Sequence, residues 1–236
     1  MLYLLNTKIV YQTIQYIKFL FKATNQHGVH SPFVYNLVTK CFYDKRIYSD
    51  YKTISNYKKT LLKNSGTTIK RAKLLYRITN YFKPKNILEL SSSLDITTQV
   101  IILANPITNI TTIKGCLNIS ESTKNNFKNN KLENINVNTR NFNNEINKLK
   151  DNTYDLIFFD GNHQKEAILS YFESLLETAN NETIFIFDDI YRSKDIREAW
   201  ETIKQHAKVT ITIDTFFWGF VFFRKEQVKE HFKIRV

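Results

Sequence analysis

The sequence predicts an α/β protein, a doubly wound parallel sheet preceded by a helical extension. Three observations predict it. Residues 1 to about 82 carry apolar residues at helical spacing. From residue 85 short apolar runs alternate with longer helical segments, the rhythm of βαβ units. The stretch "KVTITIDTFFWGFVFFRK" (208–225) reads as two strands joined by a very short connection around Asp214–Phe217, and a connection that short permits only an antiparallel pair.

Each element follows from local pattern. Ile9, Ile14, Ile17 and Phe21 form a first apolar stripe, which "NQHGVHSP" interrupts with Gly28 and Pro32. Phe33, Leu37, Val38 and Phe42 resume a helical face; Tyr51, Ile54, Tyr57 and Leu61 make another, stopped by "NSG" at 64–66. Leu74, Leu75, Ile78 and Phe82 carry a last helix to Pro84. Strands are expected at "KNILEL" (85–90), "ITTI" (110–113), "NINVNT" (134–139), "YDLIFFD" (154–160) and "ETIFIFDD" (182–189). Helices are expected near 94–104, 118–130, 141–149, 164–178 and 193–206. The organisation expected is an N-terminal helical cap over 1–82 and an α/β domain over 83–236.

Composition narrows the function classes. The 236 residues are 42% hydrophobic and 14% aromatic, enough for one full α/β core. Cys41 and Cys116 lie far apart and form no CxxC pair, so neither a zinc site nor a disulfide scaffold is indicated. "IVYQTIQYIKFLF" is interrupted by Gln12, Gln15 and Lys18 and lacks a small-residue cleavage site. It is too short and polar to span a bilayer, and the expected address is the cytoplasm. The net charge of +12 raises non-specific attraction to nucleic acid or anionic membranes. The densest basic run (Lys58, Lys59, Lys63, Lys70, Arg71, Lys73) alternates with apolar residues as a solvated helix face does. A nucleic-acid-modifying role rests on this charge alone.

Doubly wound sheets bind ligands at the carboxyl ends of their strands. Three of those ends carry acids: Glu89, Asp160 and the pair Asp188 and Asp189. Lys114 stands at the end of the second strand. His163, one turn beyond Asp160, has an ordinary pKa near neutrality and is a candidate base. The alternative reading makes Asp160-Gly161-Asn162 a turn and Asp188 and Asp189 helix caps. His27 and His30 are expected to shape a lid, with Pro32 in the first turn of the next helix.

"HGVHSPFVY" (27–35), "ILELSSSLDITT" (87–98), "FFDGNHQKEA" (159–167), "FIFDDI" (185–190) and "DTFFWGFVFFRKEQVKEHF" (214–232) resemble the O-methyltransferase-like class I S-adenosylmethionine (SAM)-dependent methyltransferases of Bacteroidota, over nearly the whole chain. The resemblance implies a Rossmann-like sheet of five parallel strands closed by an antiparallel hairpin. It also implies a cofactor turn of the pattern E-L-G-T-S-L-G. The matching residues are Glu89, Leu90, Ser91, Ser92, Ser93, Leu94 and Asp95, so both glycines are replaced. An acid would grip the ribose at the position held by Lys114. A serine where φ must be positive costs about 1 kcal/mol relative to glycine. Lysine has no acceptor for hydroxyl protons, and Asp95 sets a negative charge where a helix N-terminus attracts anions.

By the same resemblance Glu89, Ser91, Ser93, Asp95 and Lys114 face the cofactor, and Asp160, Asp188 and Asp189 hold a divalent cation such as Mg2+ that activates an acceptor hydroxyl. Asp160 and His163 then serve catalysis. Two readings stay open: SAM-dependent methyl transfer to a small-molecule hydroxyl, and a lapsed methyltransferase fold kept as a binding or assembly module. Whether the N-terminal helices form a lid or a homodimer interface is open as well.

Overall fold

The computed structural model describes residues 2–61, 68–91, 96–114, 134–138, 146, 148–161 and 163–236. The chain divides into two compact units, one of residues 1–29 with 143–236, the other of residues 30–142. Among the described residues eight strands form the sheet, one more than five parallel strands and a hairpin.

The unit of residues 30–142 begins with α2 (Pro32–Leu37), which continues into a π-helical turn over Val38–Phe42. Pro32 takes the first helical position, and the Ser31 side chain accepts from the Val34 N–H as N-cap. Helices α3 (Tyr51–Leu61) and α4 (Ile69–Phe82) follow. Thr68 caps α4, which ends at Lys83 in the left-handed region (φ 47°), immediately before Pro84. Then come β1 (Asn86–Ser91), α5 (Ile96–Ala104), β2 (Asn109–Lys114) and β3 (Ile135–Asn138). The strands pair in parallel in the order β3-β2-β1, with Ile87 against Ile110 and Ile113 against Asn138. Burial of Ile87, Leu88, Leu90, Ile110 and Ile113 is what the continuous apolar runs anticipated, because a parallel strand is covered on both faces. The helices expected at 118–130 and, for most of its length, at 141–149 lie outside the described residues.

The other unit holds α1 (Leu2–Lys22), β4 (Leu156–Asp160), α6 (Lys165–Leu175), β5 (Ile184–Asp188), α7 (Lys194–Gln205), β6 (Ile211–Asp214), β7 (Trp218–Phe222) and β8 (Glu230–Lys233). Its strand order is β4-β5-β7-β6-β8, with β7 antiparallel to both neighbours and the other pairings parallel. Helix α7 buries Ile196, Ala199, Trp200 and Ile203 on one face, the i, i+3, i+4, i+7 spacing of an amphipathic helix. The β6–β7 connection is three residues long. Asp214 Oδ1 accepts from the Phe216 N–H at 2.9 Å, and Phe216 takes φ 72° to make the turn.

Strand β8 is the unforeseen one. "EHFK" has no apolar alternation, and its residues are half-buried except His231, which is exposed. Charged residues of this kind are typical of strands with an open edge. Thr24 adds a parallel bridge to Ile234 beside it, and the Thr24 N–H donates to the Lys233 carbonyl at 2.8 Å. Helix α1 packs in the same unit: the Phe19 ring lies 5.6 Å from Phe216 and 6.4 Å from Tyr191, and Tyr16 lies 4.8 Å from Phe216. The helices before residue 82 divide between the two units. The first joins the C-terminal hairpin, and the rest join β1–β3.

Candidate functional site

Strand β1 ends at Ser91, not at Glu89 as expected; Glu89, two residues before that end, is fully buried. Thr98, one turn into α5, donates its hydroxyl to Glu89 Oε2 at 2.5 Å. Among the described residues Glu89 Oε1 has no hydrogen-bond partner. Thr112 stands opposite Glu89 in the β1–β2 register, and its buried hydroxyl also lacks a partner. Leaving one such group unsatisfied costs about 1–3 kcal/mol, so this strand end has hydrogen-bonding capacity that the described chain does not use. Ser91 is buried as the last residue of β1, and Lys114 closes β2 opposite it in the register. Ser93 and Asp95 lie outside the described residues.

In the other unit, Asp160 ends β4 and is buried. Asp188 ends β5, where the Trp218 indole Nε1 donates to its Oδ1 at 2.6 Å. Asp189 follows in the left-handed region (φ 52°), turning the chain, and its carboxylate lies 3.7 Å from Arg192 Nη1. Among the described residues no three His, Cys, Asp or Glu side chains group so as to hold a metal ion. Asp160, Asp188 and Asp189, expected as a cation triad, do not form such a group. The physical reason is local. Successive residues at the end of a strand project to different sides, and here one acid meets an indole while the next meets a guanidinium.

His163 sits past the end of β4, half-buried. Burial, then the nearby Arg192 charge, push its pKa down to about 4; Asp189 opposes the shift and Lys8 adds to it. The ring is consequently neutral at physiological pH. It has a lone pair free to accept a proton, but it is a weak base. Neither Arg192 nor Lys8 was foreseen as part of this group. The one sequence signal for Arg192 was its spacing of three from Asp189.

"HGVHSP" separates into two structural duties. His27 lies in an exposed 3-10 turn (Gln26–Gly28) capped by Asn25, and a Cβ on Gly28 would collide with the Thr24 side chain. His30 is exposed, and Ser31-Pro32 start α2.

Residues 93–190 match a family model described as a methyltransferase domain. The chain superposes on the S-adenosylhomocysteine-bound methyltransferase PaMTH1 of Podospora anserina with a TM-score of 0.64 at 12% identity, covering 84% of this chain and 97% of that one. The fold is that of an α/β methyltransferase. An O-methyltransferase from Bacillus cereus in complex with S-adenosylhomocysteine gives a TM-score of 0.59 at 16% identity, over 78% of this chain and 95% of the other. TomG from Streptomyces achromogenes, an O-methyltransferase of tomaymycin synthesis in complex with SAM, gives 0.59 at 14% identity, over 76% and 91%. At these identities the likeness is one of fold. No curated protein matches the sequence.

Proposed function

We propose that this methyltransferase-fold protein transfers the methyl group of SAM to the hydroxyl of a small molecule. The observation that carries this reading is Glu89, a fully buried carboxylate held on one oxygen by Thr98 and without a partner among the described residues on the other. A fold kept only as an assembly module has no use for an unsatisfied buried charge at its ligand-binding strand end, where an apolar residue would be more stable. A donor from a bound ligand offsets the cost. The residues present therefore suit the cofactor at this position. In this reading Glu89, Ser91, Ser93, Asp95 and Lys114 are its contacts, and the bound cofactor supplies an electrophilic methyl group on a sulfonium.

The remaining roles belong to the acids and His163. Asp160, at the end of β4, lies on the acceptor side with His163. His163 accepts the proton and passes it to water, since a base of pKa about 4 does not retain it. So weak a base serves an acidic hydroxyl, such as a phenol, better than an alkanol. The Arg192 and Lys8 charges that disfavour the imidazolium also favour a phenolate. Trp218 fixes Asp188.

Calorimetric titration with SAM and S-adenosylhomocysteine, with and without magnesium, is the test. Micromolar uptake by the wild type, unchanged by magnesium, is expected. Absence of heat up to millimolar ligand from folded protein overturns the reading. A series of phenols and alkanols as methyl acceptors then tests the substrate class.

A further inference from the structure

Helix α1 is turned the wrong way round for a helix of a monomer in water. Its inward side carries buried Phe19, together with half-buried Gln12 and Gln15, and Ala23 just past its end is buried as well. Its outward side carries Val10, Ile14, Ile17 and Phe21, which are 56%, 45%, 49% and 88% exposed. These four stand at i, i+4, i+7 and i+11, within about 60° of arc at 100° per residue. Ile9 and Leu20, also exposed, widen the stripe on one side. Lys18 and Lys22, both exposed, border it on the other. A contiguous apolar stripe on a helix that is otherwise anchored by its opposite face marks an interaction surface.

Charge selects the partner. No Asp or Glu occurs anywhere in α1, which carries Lys8, Lys18 and Lys22. The whole chain carries a net charge of +12. A second copy stacked on this stripe would bring lysines toward lysines with no acid on either helix to pair them. An apolar stripe edged by lysines, whose long stems let the ammonium groups reach outward, is the pattern of helices that lie in a bilayer interface. No helix among the described residues is long and apolar enough to cross a membrane, so the helix would lie on it.

We propose that α1 docks the protein, apolar stripe down, on a membrane surface rich in anionic lipid. Val10, Ile14, Ile17 and Phe21 enter the boundary between headgroups and acyl chains, and Lys18 and Lys22 meet the phosphates. This binding is independent of methyl transfer and of SAM.

The test is co-sedimentation of the full chain with vesicles of phosphatidylcholine alone or mixed with phosphatidylglycerol. Binding to the mixed vesicles, weakened by salt, is expected. Phe21→Asp should reduce it at least about tenfold, since a buried phenyl group is replaced by a repelled charge. Lys18→Gln and Lys22→Gln should each reduce it about fivefold while leaving the stripe intact. All three positions are solvent-facing, and circular dichroism checks that the variants fold. No sedimentation with either vesicle overturns the proposal, as does binding that survives Phe21→Asp together with both lysine substitutions. A stable dimer in solution that Ile17→Asp converts to monomer overturns it too, because a second copy would then own the stripe.

Discussion

The Trp218 indole donates a 2.6 Å hydrogen bond to Asp188 Oδ1, and the two residues are direct partners in the antiparallel register of β5 and β7. The acid that ends β5 is thus held by the second strand of the closing hairpin. Trp218→Phe keeps most of the apolar volume and removes the donor. It should lower stability by about 1–2 kcal/mol in urea unfolding, the usual scale for a bond to a charged acceptor. Asp188→Asn keeps an acceptor for the indole and should cost less. Equal losses from the two would show that packing, not the bond, holds this pair.

Glu89 should show opposite effects on stability and binding. Glu89→Gln removes a buried charge while keeping the carbonyl oxygen that Thr98 needs. The unliganded protein is expected to melt at the same temperature or higher. SAM affinity is expected to fall by about 10- to 100-fold in calorimetry, the loss of one charge-assisted hydrogen bond. Thr98→Val should instead destabilise by about 1–3 kcal/mol, because it leaves both carboxylate oxygens unpartnered.

His163 should make stability fall in mild acid. Its pKa is about 4 in the folded chain and lies near 6.5 when the chain is unfolded. Above pH 6.5 both states hold the ring neutral and there is no penalty. Between 6.5 and 4 the unfolded chain takes up a proton that the folded chain refuses, so stability drops as pH falls. Partial exposure reduces the full linkage value, leaving about 1–3 kcal/mol. Urea unfolding at pH 7 and at pH 4.5 should therefore show a smaller loss for His163→Asn than for the wild type.

Gly219 should tolerate no side chain. A Cβ there would lie 2.6 Å from Trp200, whose ring is almost fully buried and has nowhere to retreat. Gly219→Ala is expected to destabilise by about 1–3 kcal/mol through overpacking. Wild-type thermal stability in this variant would mean that the β7–α7 packing is looser than the structure has it.

The glycine of "FFWG" was legible as a motif but not as a reason. Its reason is a tryptophan 19 residues earlier in sequence, and no local pattern records that contact. Asp188 and Asp189 were legible as adjacent strand-end acids. That one would meet an indole and the other a guanidinium depends on strand pairing and on one left-handed residue. Strand β8 escaped because its residues carry no period of two.

By itself the sequence determined the α/β class, the strands β1 to β7, most helix starts and stops, and the acids that end β4 and β5. Those features are written in local periodicity, caps and turn residues, which need only near neighbours to be read. The tertiary structure alone decided that α1 joins the C-terminal hairpin, that β7 inserts between β5 and β6, and that Glu89 keeps an unpartnered oxygen. It also decided that the apolar stripe of α1 faces water. Periodicity states that a helix has an apolar face, but only the packing of the whole chain states which way that face is turned.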